Sequence, residues 1–277
     1  MDSETTVRLG AFLAVFGAMA LWEVLAPRRP RTLGRCWRWP NNLGVAALDA
    51  ILLRVLLAGT AVAVAAAGEV EHLGLFNNLP RALDSHLVRA AVVLSSVILL
   101  DLAIYLQHVM FHAVPALWRV HRMHHADLDL DVTTGARFHP LEIVISMILK
   151  IAVVVAIGAP PQAVVIFEVL LNATSMFNHS NVRIPLAADH RLRWLLVTPD
   201  MHRVHHSVIR AETNSNFGFN LSWWDRVLGT YRAQPARGHL GMTIGLEQFR
   251  APGELRLDRM LLQPWRGATG AYPLGRE

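Results

Sequence analysis

Residues 87–125 read LVRAAVVLSSVILLDLAIYLQHVMFHAVPALWRVHRMHH. An apolar run from about Leu87 to Tyr105 leads directly into His108 and His112, and then into His121-Arg-Met-His124-His125. The run approaches the roughly 20 residues a helix needs to cross a bilayer, so the histidines stand where a membrane helix emerges. Residues three and four apart on a helix share one face, so such a triplet can aim two or three imidazoles at one point. Further along come His139, His179 and a second triplet, His202-Arg-Val-His205-His206. Ten of the 14 histidines belong to this series. That is more nitrogen than one metal can use, and the arrangement asks for two.

The surrounding sequence is that of a membrane protein. Hydrophobic residues make up 53% of the 277, charged residues only 17%, and mean hydropathy is +0.34; a soluble domain carries about 25% charge. Besides the run at Leu87–Tyr105, apolar blocks extend from about Gly10 to Leu25 and from about Leu43 to Ala67. A pair, Leu141 to Ile157 and Gln162 to Phe177, is split by Gly158-Ala-Pro-Pro161. We expect an all-α integral membrane bundle of three or four spans plus a re-entrant hairpin, under a histidine-rich helical cap; the alternative is a soluble helical protein. The blocks carry Glu23, Asp49 with Arg54, Asp101, Lys150 and Glu168. Such residues face the bundle interior or an interface.

Arginine placement suggests an orientation. Arg28, Arg29, Arg31, Arg35 and Arg38 crowd the loop after the first block, whereas Gly68 to His86 holds Glu69, Glu71 and Asp84 against Arg81. Cytoplasmic loops are the basic ones, so the histidines are expected on the cytoplasmic face, in a bacterial inner membrane. The N-terminus lacks the features of a cleaved signal peptide and reads as a retained anchor. Residues 1–86 read as an anchor region, 87–232 as the histidine-bearing domain and 233–277 as a Pro- and Gly-dotted, loosely packed extension. Cys36 is the only cysteine, which excludes an internal disulfide, an iron–sulfur cluster or a thiolate zinc site. The excess of 26 basic over 21 acidic residues suits anionic lipid, not nucleic acid.

Imidazole suits several metals, but number narrows the choice. Catalytic zinc takes three protein ligands, whereas ten histidines over two metals give about five each, matching six-coordinate iron with one position left. A zinc hydrolase also needs a carboxylate base, and no glutamate lies inside or beside either triplet. Lipid C–H bonds call for oxygen chemistry, lipid esters only for activated water.

The series Asp101…Tyr105-x-x-His108-x-x-x-His112, Leu117-Trp118-Arg119-Val-His121-Arg-Met-His124-His125 and Arg137-Phe138-His139-Pro140-Leu-Glu142 resembles the fatty acid hydroxylase/sterol desaturase superfamily. So do Asn178-His179-Ser180-Asn181, Pro199-Asp-Met-His202-Arg-Val-His205-His206 and Trp224-Asp225-Arg226…Gly229-Thr230-Tyr231, over about half of the chain. The sequence departs at Val109, where the family often has arginine. The resemblance implies a membrane enzyme with two iron ions that uses O2 and external electrons to hydroxylate or desaturate a lipid. By position it implies His108, His112, His121, His124, His125, His179, His202, His205 and His206 as metal ligands, with His139 completing the set. Asp101, Asn178 and Asp225 are the leading candidates to take the second N–H of a ligating histidine; Asp127 and Asp131 are others. No side chain beyond the metal centre is assigned to catalysis. Trp194, Trp223, Trp224 and Phe217 are candidates to line a lipid channel. The chain has no dinucleotide fingerprint, haem-attachment motif or cluster cysteines, so a separate ferredoxin- or cytochrome-type donor is expected. The alternatives are a membrane zinc hydrolase and a non-catalytic metal or lipid binder. Sterol, hopanoid, carotenoid, acyl chain and ether lipid all remain open as substrates.

Overall fold

A computed structural model describes residues 3–56, 61–80 and 85–274. Arg81 and Asp84, used above for orientation, lie outside the described residues, as do residues 57–60 of the second apolar block. The main helices are α1 (Ser3–Leu25), α2 (Arg35–Leu56), α3 (Ala61–Val70), α4 (His86–Ala113) and α5 (Pro115–His125), then α6 (Pro140–Ile157), α7 (Pro161–His179), α8 (Leu186–Leu192) and α9 (Pro199–His205). Among the described residues there is no strand, only isolated bridges such as Pro27 with Val182. The fold is all-α, as the apolar blocks predict.

Four stretches are long and apolar enough to cross a membrane: Glu4–Leu25, Arg35–Val70, His86–Ala113 and Pro140–Ile157. The chain is a multi-pass membrane protein. Helix α7 is not among the four; it turns back from α6, and its Glu168 pairs with Lys150 of α6 and Arg8 of α1. Helix α1 packs along α7, and α4 packs against both α6 and α7. At 1.5 Å per residue the 28 residues of α4 span about 42 Å, beyond the ~30 Å hydrocarbon layer.

Local sequence sets the helix ends. Helices α5, α6, α7 and α9 each begin on proline, whose fixed φ and missing N–H cost nothing in a first turn. Gly158, at φ +65°, closes α6 by donating to the carbonyls of Val154 and Val155. The loop after α3 seats Gly74 on this end, where a Cβ would lie 2.2 Å from Gly158 N and Val155 O; only glycine allows that approach.

The arginine-rich segment folds back onto the histidine region. Arg38 is fully buried and pairs with Asp127 at 2.7 Å and with Asp131, while Arg28 meets Asp200 at 2.9 Å. Burial alone would raise the Asp127 carboxyl, but Arg38 and Arg137 bring it down to about 2. Glu23 accepts from Val132 N (2.8 Å), Asn181 N (2.9 Å) and Arg35 (2.8 Å). These bonds hold the arginine loop and the histidine segments at one end of the bundle.

The expectation of a loosely packed tail is corrected. Leu255 and Met260 are fully buried, and Met260 packs with Val45 and Met123. Arg122 donates to the carbonyls of Gln263 (2.5 Å), Ala268 (2.6 Å) and Arg266, and Tyr272 stacks on Trp118 at 5.6 Å. The proline and glycine turns of this segment aim its carbonyls at a buried guanidinium, a pairing with no signature in composition.

Candidate metal centre

Nine buried imidazoles form two groups whose nitrogens lie within 4.8 Å of one another in each: His108, His112, His121, His125 and His205 in one, His124, His179, His202 and His206 in the other. The even five-and-five division expected from the sequence is thus five and four. Each triplet is also split, which the one-face reading did not anticipate. In α5, His121 and His125 serve the first group and His124 the second; from α9 onward, His202 and His206 serve the second and His205 the first.

The remote side of the rings decides whether these groups suit a metal. Nδ1 of His108 meets Phe217 O (2.8 Å), that of His124 Arg137 O (3.0 Å), that of His179 Ser175 O (2.7 Å) and that of His205 Ser215 O (2.8 Å). His112 meets Asn214 Oδ1 at 3.0 Å and His121 meets Glu142 Oε1 at 2.7 Å. A carbonyl only accepts, so Nδ1 carries the proton and Nε2 presents a bare lone pair. Yet Nε2 of His108 lies 3.1 Å from Nε2 of His121 and 3.0 Å from that of His205, and His124 and His179 are 3.0 Å apart likewise. Two lone pairs at that distance repel unless a cation sits between them, so the donor set fits a metal in each group. Burial, reinforced by neighbouring imidazoles, holds His124, His125, His202, His205 and His206 well below the usual histidine range. They are neutral near pH 7, the form a metal requires.

His139 stands apart from both groups, and the expectation that it completes the set finds no place in the geometry. It caps α6: its Nδ1 accepts from Leu141 N at 3.1 Å, and its Nε2 meets Leu261 O at 3.2 Å. The His-Pro pair is a helix start, with the cap followed by proline at the first position.

Asp101, Asn178 and Asp225 do not touch a ring nitrogen of either group. All three hold one loop instead. Asp101 accepts from Leu221 N (3.1 Å) and Trp224 Nε1 (2.8 Å), Asp225 from Phe217 N (2.7 Å) and Gly218 N (2.9 Å), and Asn178 donates to Phe219 O (2.6 Å). Since Phe217 O is the partner of His108, Asp225 acts on a ring through the backbone. Asp127 and Asp131 are occupied by Arg38. The carboxylate that does reach an imidazole is Glu142, overlooked because it lies 17 positions beyond the first triplet; the folded chain brings the start of α6 against α5. The absence of a glutamate beside the triplets, used above against a hydrolase, is therefore a feature of the sequence and not of the site.

A largely apolar cavity of about 500 Å³ opens onto the first group, with His108 and His121 in its wall beside Ile104, Phe111, Phe138 and Phe219. None of the four expected channel aromatics lines it. Phe217 is buried against His112 and His205, Trp224 binds Asp101, and Trp194 and Trp223 are exposed.

Residues 93–230 match the model of the fatty acid hydroxylase family. An ornithine lipid hydroxylase of Rhizobium tropici is 29% identical over 54% of this chain and 45% of its own length. The human alkylglycerol monooxygenase is 30% identical over 54% of this chain and 32% of its own. The human cholesterol 25-hydroxylase is 27% identical over 57% and 58%. The chain thus spans about a third to three fifths of the length of these relatives. No solved structure matches it. Nine histidines gathered within the matched segment, on a frame of apolar helices, agree with the family model, and the chain belongs to the fatty acid hydroxylase family through the domain at residues 93–230.

Proposed function

We propose that this protein is a membrane-bound di-iron oxygenase that hydroxylates a lipid. The observation that carries the reading is the cavity, whose apolar wall ends on two imidazoles of the five-histidine group. Two irons would be held by His108, His112, His121, His125 and His205, and by His124, His179, His202 and His206; when bound they would activate O2 toward a C–H bond. One oxygen atom goes to carbon, and the other leaves as water with two electrons and two protons. Those electrons come from a separate ferredoxin- or cytochrome-type protein.

The chain's own residues position and shield. Phe217 O, Arg137 O, Ser175 O, Ser215 O, Asn214 and Glu142 fix the ring planes through Nδ1, which orients donors and raises their basicity. Phe138, stacked on His124 at 4.4 Å, and Phe219 keep the floor of the cavity dry. The lipid would enter from the bilayer between the helices that line the cavity. The paired arginine loop beside the histidines supports an active site on the cytoplasmic face of a bacterial inner membrane. The monooxygenase and hydroxylase names of the relatives favour hydroxylation over desaturation.

Comparative lipid mass spectrometry tests the reading. Cells producing the chain should contain a lipid with one added oxygen that is missing when His124→Ala and His205→Ala are combined. Indistinguishable profiles in aerobic, iron-replete cells with a competent donor would refute it. Metal analysis separates the second reading, a zinc hydrolase using Glu142 as base: about two irons per chain support the oxygenase, zinc the hydrolase.

A further inference from the structure

Helix α2 lies outside the matched segment, yet it supplies one wall of the cavity, and with it Asp49. Asp49 is 7% exposed, and its Oδ1 is buried with no hydrogen-bond partner. Glu142 of α6, 4% exposed and lining the same cavity, gives Oε1 to His121 and leaves Oε2 equally unpartnered. Both carboxylates line the one cavity. Of the other polar side chains of the cavity, Gln107 donates to Ser146, Asn172 to Glu168 O and Ser175 to Gly135 O. Among the described residues no lysine or arginine lines the cavity. Among the described residues, the cavity-lining side-chain atoms that are buried without a hydrogen-bond partner are Asp49 Oδ1 and Glu142 Oε2, both oxygens of acids.

A buried carboxylate without a donor or counter-ion is costly. A metal in the five-histidine group would offset Glu142 through His121, but Asp49 makes no contact with a histidine. A hydroxyl offers one donor and no charge; a primary ammonium offers three donors and the missing charge. We propose that the cavity selects lipids bearing a primary ammonium, with Asp49 as the residue that determines that specificity. The proposal rests on the cavity being the lipid site of the oxygenase reading. It adds the substrate class and gives the N-terminal helices a part in recognition. Aminoacyl lipids, aminophospholipids and sphingoid bases share this chemistry.

Binding can be measured without turnover. The full-length chain, purified in a neutral detergent with its metal content recorded, is titrated with tetradecylamine and with tetradecanol, and thermal stabilisation is followed. The amine should bind at least tenfold tighter than the alcohol. Asp49→Asn should abolish that preference while leaving metal content and alcohol binding unchanged, and Asp49→Glu should keep most of it. Equal binding of amine and alcohol to the wild-type chain would overturn the proposal, whatever the variants do. So would an undiminished amine preference in Asp49→Asn. Turnover is a separate readout: amine preference without oxygenation would sink the oxygenase reading and leave the ammonium site standing. Among preferred amines, comparing an aminoacyl lipid, phosphatidylethanolamine and a sphingoid base then names the source.

Discussion

Replacing Glu142 with alanine should weaken metal retention in the five-histidine group by about 10–100-fold while leaving the bundle folded. Glu142 sits at the third position of α6 and reaches His121 Nδ1 at 2.7 Å, buried from solvent. Loss of such a partner typically costs 10–100-fold in metal affinity, or about 1.4–2.8 kcal/mol. His121 would keep its place on α5 but lose the bond that fixes its tautomer and ring plane. Glu142→Gln keeps an acceptor on Nδ1–H and drops only the charge, so it should stay within about tenfold of wild type. The assay is competition with a graded series of chelators, followed by metal analysis of the protein fraction. Thermal unfolding of the metal-free variants runs alongside; a midpoint close to wild type assigns the loss to the site and not to the fold. Glu142→Ala retaining metal as tightly as wild type would refute the reasoning, and with it the claim that a carboxylate holds this ring.

Other expectations can be checked on the same preparations. His139→Ala should hold its full complement of metal and lose about 0.5–2 kcal/mol as a helix cap, whereas His205→Ala should lose metal from the first group; metal analysis of both separates the roles. Acid should destabilise the metal-free chain. His124, His125, His202, His205 and His206 have folded values below 6.5, so the unfolded chain takes protons first. Their contribution is complete above about pH 6.5 and falls by up to about 1.4 kcal/mol per group per pH unit below it. Melting midpoints that stay flat from pH 7.5 to 5.5 would contradict this. Asp127, held at about 2, should lose its contribution only below about pH 4. Arg122→Ala should release the segment around Gln263–Ala268 and quicken limited proteolysis there; an unchanged cleavage pattern would argue against the guanidinium as its clamp.

Much of this molecule can be read along the chain because the relevant signals are local. Hydrophobic length marks the spans, and histidine spacing of three and four marks the centre, since both survive whatever the tertiary fold does. What could not be read depends on elements meeting. Nothing within residues 121–125 says that His124 turns away from His121 and His125 to join His179, because that division is made by helices α4, α7 and α9 closing from different sides. The Phe-His-Pro stretch looks like a ligand motif and is a helix cap, an ambiguity that spacing cannot resolve. Asp101 and Asp225 read as supports of the rings because acids commonly support histidine ligands; here they anchor the loop that carries a carbonyl to His108. The arginines after α1 read as a topological signal. Two of them, Arg38 and Arg28, are also the partners of Asp127, Asp131 and Asp200, which composition alone does not separate from solvated charge.

The crossing of the two triplets couples the two halves of the centre. Helix α5 sends two donors to one group and one to the other, and the α9 triplet does the reverse. An ion held by either group would fix the rings of both triplets, and with them donors that a second ion would use. The second ion then meets a site whose entropy has already been spent, which is positive cooperativity without any change of shape. Loading should accordingly be sigmoidal, with the singly filled species scarce at every metal concentration. A fragment carrying only one triplet should hold no ion tightly.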